Sequence, residues 1–294
     1  MDNPITADIA ERRVSARQAY RSDLKPVWCP GCGDYAVLTA LFAAFAELDI
    51  PPHEIALISG IGCSSRLPGY TATYGLNTIH GRPIPVATGL KSARPDLTVV
   101  AMAGDGDALS IGGGHFPHVA RRNIDMAYLV MDNNVYGLTK GQTSPTTPVG
   151  EQTATSLYGW PEEPANPVGL ALAYGCTFVA QGHAGDVKGL ARLMVEAIRW
   201  PGFAFVEILS PCVTWRGKVQ YDLIRERARP LPPEHDVTDV AAAFRYAQDP
   251  EHLYMGIYYQ MRKPTFHERL DEIRQKAIAK GAGSVERYLA RFAV

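Results

Sequence analysis

Two short segments carry oxygen ligands at a spacing that suits a divalent cation and a diphosphate. Gly104-Asp105-Gly106-Asp107 follows the apolar run Leu97–Ala103. A glycine-rich turn leading into a helix presents free backbone N–H groups to a phosphate. Asp105 adds a carboxylate, which a phosphate repels unless a cation lies between them. The pairing therefore suggests Mg²⁺ bridging a diphosphate. Alone, such a turn is more often only a turn. The second segment is Asp132-Asn133-Asn134-Val135-Tyr136-Gly137, at the end of the next apolar run. One helix and one strand fit between the two, so both loops reach the same sheet edge. Asn133 offers a side-chain oxygen and Val135 a backbone carbonyl. With Asp105 they make three hard ligands, and a diphosphate and water complete an octahedron. The plain structural reading is an Asn-rich turn closed by Gly137.

Together the segments resemble the thiamine diphosphate fingerprint, a Gly-Asp-Gly followed, one helix and one strand later, by an Asn. Four cysteines add a second centre. Cys29-Pro30-Gly31-Cys32 is a knuckle that points two sulfurs at one metal; Cys63 lies in Gly62-Cys63-Ser64-Ser65 and Cys212 in Ser210-Pro211-Cys212. Four thiolates fit either Zn²⁺ or a [4Fe–4S] cluster, and spacing does not choose. Without a second CxxC or a ferredoxin-type run, one cluster is the most this chain holds. Cys176, in an apolar stretch, reads as a small buried hydrophobe. Thiamine chemistry separates the metals. Oxidising a decarboxylated 2-oxoacid requires an electron acceptor; zinc is none, whereas an iron–sulfur cluster takes electrons one at a time. The combination implies oxidative decarboxylation.

The elements that must position these residues read as an α/β fold. Helices are expected at Asp34–Leu48, at Ala108–Arg122, loosened at its start by Gly112, Gly113 and Gly114, and at Gly185–Trp200. Strands are expected at Ile55–Ser59, Leu97–Ala103, Met126–Met131, Thr177–Gln181 and Ala204–Leu209. Alternating strands and crossover helices imply a parallel sheet covered by helices on both faces. Ligands then sit at the carboxyl ends of the strands.

The chain has 294 residues, 46% hydrophobic and 20% charged, enough for one large domain or two small ones. A net charge of -1 excludes a polyanion-binding surface over the whole molecule, and no nucleic-acid partner is expected. The longest apolar stretch, Tyr35–Ala46, is too short to cross a bilayer. The N-terminus carries Asp2, Asp8, Glu11, Arg12 and Arg13 where a signal peptide needs an apolar region. A cytoplasmic location is expected, and five cysteines there suit metal or redox chemistry rather than disulfides. Charge is concentrated at the ends. The expected division is an N-terminal arm (1–27), a cofactor-binding domain (28–221) and a charged C-terminal tail (222–294).

At this point the residues resemble the β subunits of 2-oxoacid:ferredoxin oxidoreductases. The likeness runs through Ser22–Tyr35, Gly60–Ser65, His80-Gly81-Arg82, Ala87-Thr88-Gly89, the Gly-Asp-Gly-Asp segment, Tyr136–Gln142 and Ser210–Val213. It implies that Cys29, Cys32, Cys63 and Cys212 ligate one [4Fe–4S] cluster. It implies that Asp105, Asn133 and the Val135 carbonyl hold Mg²⁺. Ile61, Gly62, Cys63, Ser64, His80, Gly106, Asp107, Gly137 and Leu138 are then expected to line thiamine diphosphate. The family places the glutamate that activates the cofactor on an α subunit, so the implied enzyme is a heterotetramer with two copies of each chain. The implied co-substrate is coenzyme A, and the implied acceptor is ferredoxin.

Arg66 and Lys140 are candidates for steering the substrate carboxylate, since a guanidinium holds a carboxylate with two parallel hydrogen bonds. Solvated surface cations are the plain alternative. For His80, a buried structural role competes with contact to the diphosphate. His115 and His118 read as packing or solvent residues. The resemblance is strongest to the 2-oxoglutarate branch; pyruvate or a broad range of 2-oxoacids is the runner-up. A non-oxidative thiamine enzyme with a structural zinc is the alternative from another class, and a non-catalytic electron-transfer module a third, which intact Asp105 and Asn133 disfavour.

Overall fold

The computed structural model describes residues 16–281 and 284–292. Its frame is an eight-stranded sheet in the order β2-β1-β3-β4-β6-β5-β8-β7. The strands are β1 (Ile55–Ser59), β2 (Tyr74–Asn77), β3 (Thr98–Gly104), β4 (Met126–Asp132), β5 (Phe178–His183), β6 (Phe203–Leu209), β7 (Ala228–Pro230) and β8 (Leu253–Gln260). The strands β1 and β4 are buried along their whole length, so their apolar runs are continuous rather than alternating. Successive residues still divide between two cores. Val100, Met102, Leu129 and Met131 join one, whereas Val99, Ala101, Tyr128 and Val130 join the other.

Helices α1 (Asp34–Leu48) and α6 (Val187–Arg199) supply the first core. The second is covered by α2 (Pro83–Ala93), α4 (Phe116–Arg122), α5 (Pro167–Ala173) and α8 (Val240–Ala247). Ends are set locally. Asp49 closes α1 in the left-handed conformation, and the Asp186 side chain accepts the Gly189 N–H to start α6.

Two expectations need correction, on a helix and on a boundary. The helix expected over Ala108–Arg122 is broken into α3 (Asp105–Leu109), a 3₁₀ turn at Ile111–Gly114 and α4. The backbone of Gly112 passes so close to Asp107 that a Cβ would lie 2.3 Å from its carbonyl oxygen, and a continuous helix cannot make that approach. The expected parallel sheet covered by helices is present, with β8 added antiparallel to β5. And the boundary expected at residue 221 does not end the packed structure. Tyr258 and Tyr259 of β8 are buried in the second core, because an apolar strand inside a charged stretch covers what would be an exposed edge of β5. Beyond it, α9 (Phe266–Ala279) has no buried residue and starts with a capping box between Thr265 and Glu268.

Of the expected arm, residues 1–15 lie outside the described residues. The rest is tied down. Arg21 bridges Thr71, Ser22 donates its N–H to the Tyr70 carbonyl, and Tyr20 Oη donates to the Ile50 carbonyl at 2.8 Å. These bonds deliver the Cys29–Cys32 knuckle to the sheet edge that carries Cys63.

Candidate active site

The chain leaves β1 outward to β2 and returns inward to β3, which opens a crevice at the carboxyl ends of β1 and β3. The crevice holds a cavity with about 540 Å³ of empty space, part of it open to solvent. Ile61, Gly62, Cys63 and Ser64 line it from the loop after β1, Gly104–Asp107 from the β3–α3 junction, and Asn133 and Val135–Thr139 from the loop after β4. Two of the three motifs and one of the four cysteines thus meet in one space. His80, Arg66, Lys140, Cys29, Cys32 and Cys212 lie outside its lining.

Asp105 is the first residue of α3 and is buried. Its Oδ2 accepts from Ser144 Oγ and from Thr146 Oγ1 at 2.8 Å. Burial first, and then the charge of Asp132, push its carboxyl up to about 7. A cation beside it reverses that balance, so the donor set fits a hard ion. Asn133 Oδ1 accepts the Val135 N–H at 3.1 Å, which folds the loop so that residues 133 and 135 both face the cavity.

Asp107 has a different task. Its Oδ1 accepts the Gly81 N–H at 2.7 Å and lies 2.9 Å from His80 Nδ1. A Cβ on Gly60 would lie 1.7 Å from its Oδ2. The carboxylate therefore anchors the His80-Gly81 turn. His80 Nε2 in turn lies 3.5 Å from Tyr136 Oη, which donates to the Gly106 carbonyl at 2.8 Å. Gly106 is required here, since a Cβ would approach the Tyr136 ring to 2.4 Å.

The four cysteines converge from three chain segments. Trp28 Nε1 donates to the Cys63 carbonyl at 2.8 Å, and the Gly33 N–H to the Pro211 carbonyl at 3.1 Å. Gly33 also admits Ser210, whose Oγ donates to buried Asp34 at 2.7 Å. Burial, Asp34 and the neighbouring thiolates Cys212 and Cys63 drive the Cys32 thiol up. Cys63 is pushed up to about 11 by burial, Asp34, Cys212 and Cys29, against the pull of Arg66. Partly buried thiols that repel one another when ionised fit a metal centre that supplies the missing positive charge. Among the described residues no three His, Cys, Asp or Glu side chains lie close enough to hold a single ion. Cys176 is fully buried in the second core, away from the others.

Arg66 is exposed, on the 3₁₀ segment after Cys63. Lys140 is exposed in the turn Gly137–Gly141 with φ 86°, a left-handed conformation rare outside glycine. Sequence reasoning missed Ser144, Thr146, Tyr136 and Gln220 as parts of the site. Tyr136 directly follows the Asn-rich segment and was open to suspicion; the others carry no local signal.

The fold and cavity define a thiamine diphosphate-binding α/β module. Residues 60–208 match the family model "Thiamine pyrophosphate enzyme, C-terminal TPP binding domain". Residues 212–275 match the family model for the C terminal of the pyruvate ferredoxin oxidoreductase β chain. The 2-oxoacid:ferredoxin oxidoreductase 1 β subunit of Aeropyrum pernix is 39% identical over 89% of this chain and 86% of its own. The 2-oxoglutarate synthase subunit KorB of Methanocaldococcus jannaschii is 38% identical over 87% and 96%. A solved 2-oxoglutarate:ferredoxin oxidoreductase from Magnetococcus marinus, with 2-oxoglutarate, coenzyme A and succinyl-CoA bound, superposes with a TM-score of 0.90. It is 43% identical, covering 95% of this chain and 96% of that one. The chain belongs to the β subunits of the 2-oxoacid:ferredoxin oxidoreductases. No helix among the described residues is long and apolar enough to cross a membrane.

Proposed function

We propose that the chain is the β subunit of a 2-oxoglutarate:ferredoxin oxidoreductase, which converts a 2-oxoacid and coenzyme A to acyl-CoA and CO₂. The observation that carries this is the shared cavity, where the Asp105 and Asn133 loops face the Cys63 loop. Thiamine diphosphate, when bound, supplies the carbanion-stabilising chemistry that decarboxylation needs. Asp105, Asn133 and the Val135 carbonyl hold Mg²⁺. Gly106 lines the cavity that takes the diphosphate, and Gly62, with φ 92° and open space where a Cβ would stand, lets the Ile61–Ser64 loop face it. Gly137 and Leu138 close the opposite wall.

Cys29, Cys32, Cys63 and Cys212 bind one [4Fe–4S] cluster, with Cys63 in the wall between the two centres. Zinc accepts no electrons, whereas an iron–sulfur cluster takes them one at a time, so the oxidative chemistry supports the cluster. Electrons leave to ferredoxin. The assembly contains two copies each of this chain and an α subunit, and the latter completes the cofactor's activation. The assembly is cytoplasmic.

Co-expression with the α subunit, anaerobic purification and assay of a 2-oxoacid panel with coenzyme A and a low-potential acceptor test the proposal. Highest kcat/KM for 2-oxoglutarate is expected. A preference for pyruvate moves the chain to the runner-up branch. A colourless zinc protein without coenzyme A-dependent oxidation overturns the reading.

A further inference from the structure

Gln220 stands at the start of α7 (Val219–Arg227), a helix that ends in Arg225-Glu226-Arg227, yet it is only 4% exposed. Its amide is fully used. Oε1 accepts the Cys212 N–H at 2.9 Å. Nε2 donates to the Asn133 carbonyl and to Asn134 Oδ1, both at 3.0 Å. A primary amide offers two N–H groups, and both are spent on one loop while the oxygen serves the other.

The two loops carry different centres. Asn134 is itself fixed. It adopts φ 59°, its N–H and Nδ2 donate to Asp132 Oδ1 at 2.9 and 3.0 Å, and its carbonyl accepts from Thr147 Oγ1 at 2.7 Å. The peptide between Asn133 and Asn134 is therefore held from both sides, and Gln220 joins it directly to the backbone of Cys212. A buried, saturated amide between two short loops transmits displacement, because shifting either loop leaves a polar group unpaired.

We infer that Gln220 is a positioning residue that couples the thiolate centre at Cys212 to the diphosphate–metal loop at Asn133, so that occupancy of one stabilises the other. The inference rests on the assignment of these two loops under the proposed function. Coupling between sites is reciprocal, so it is readable from either side. The loops are also held by Trp215, whose Nε1 donates to the Gly137 carbonyl at 2.8 Å, so losing the Gln220 bonds does not separate them.

The test uses the assembled enzyme and reads iron release to a chelator, with and without thiamine diphosphate and Mg²⁺. In the wild type, the cofactor is expected to slow release by at least about fivefold, the lower end of ordinary coupling. Gln220→Met keeps the length and removes all three bonds. Gln220→Glu keeps the acceptor toward Cys212 and removes both donors toward the Asn133 loop. In each the cofactor effect is expected to fall below about twofold, with iron and cofactor still bound. Faster release that the cofactor still slows by the wild-type factor would make Gln220 a packing residue and overturn the inference. So would a wild type that binds both groups without mutual effect. A wild type lacking iron or cofactor would instead sink the functional reading itself.

Discussion

Asp105 Oδ2 and Asp132 Oδ1 are joined by one hydroxyl, Thr146 Oγ1, which lies 2.8 Å from each. A hydroxyl has one proton to donate, so it cannot satisfy two ionised carboxylates at once. Burial, then the charge of Glu207, push Asp132 up to about 8. Glu207 is pushed up to about 7, chiefly by burial, while Gln181 Nε2 donates to it at 2.6 Å. Behind the metal loop there is thus a buried set of acids that retains protons near neutrality.

The first prediction concerns metal binding. Mg²⁺ needs ionised Asp105, and protons compete for it below its raised value of about 7. Affinity for thiamine diphosphate with Mg²⁺ is expected to fall by up to about tenfold per pH unit below that point and to level off above it. Asp105→Asn, which keeps the shape, should bind the cofactor far more weakly at every pH without unfolding. Calorimetric titration across this range checks it, and a flat profile for the wild type would place the metal elsewhere.

The second concerns stability. Glu207 has an ordinary value of 4.5 and a folded value of about 7. The folded state then holds the extra proton, so this contribution is fully present below the ordinary value and is lost as pH rises through the folded one. Glu207→Gln cannot ionise. It is expected to gain about 1–3 kcal/mol over wild type at pH 8 and to come within about 1 kcal/mol of it near pH 5. Denaturant unfolding at both pH values measures the difference. A variant equally destabilised at both would show that the carboxyl's packing outweighs its ionisation.

Cluster ligation separates the cysteines. Cys212→Ala is expected to lose or degrade the cluster, whereas Cys176→Ala, whose thiol is enclosed by the second core, should keep about four irons per chain. Iron and sulfide analysis decides it, and equal iron loss in both variants would defeat the assignment.

Arg66 and Lys140 differ in backbone cost. Lys140→Gly relieves the φ of 86° and is expected to stabilise the fold by about 1 kcal/mol while raising KM for the 2-oxoacid. Arg66→Ala has no strain to relieve. Its exposure limits the expected loss in kcat/KM to about tenfold, since a charge in water interacts weakly. Steady-state kinetics beside thermal melts test both. Unchanged kcat/KM in either would leave that residue a solvated cation.

The sequence was most legible where one signal was enough. Asp34–Leu48 and Ile55–Ser59 form over the expected residues, because an unbroken apolar run reports burial directly. A loosening at Gly112–Gly114 was legible from the glycines; that it becomes a full 3₁₀ break was not, since the break answers to the passing backbone of Asp107. Nor was β2, whose four residues are all exposed and carry no hydrophobic pattern. β8 was visible only as an apolar patch around Tyr258; its partner and direction are tertiary facts. In the site, residues that follow glycine-rich turns stood out. Ser144 and Thr146, which hold Asp105, and Gln220, which spans two loops, act through distant partners that no local spacing reveals.

Electrons from the 2-oxoacid should reach a cluster on this chain before any external acceptor is present. Adding 2-oxoglutarate and coenzyme A to the anaerobic assembled enzyme and recording its electron paramagnetic resonance spectrum measures this. A reduced [4Fe–4S] signal is expected to appear with substrate and to be absent in Cys212→Ala. A wild-type enzyme that turns over once a low-potential acceptor is added, yet whose cluster stays oxidised with substrate alone, or that holds no cluster at all, would refute electron transfer through this chain.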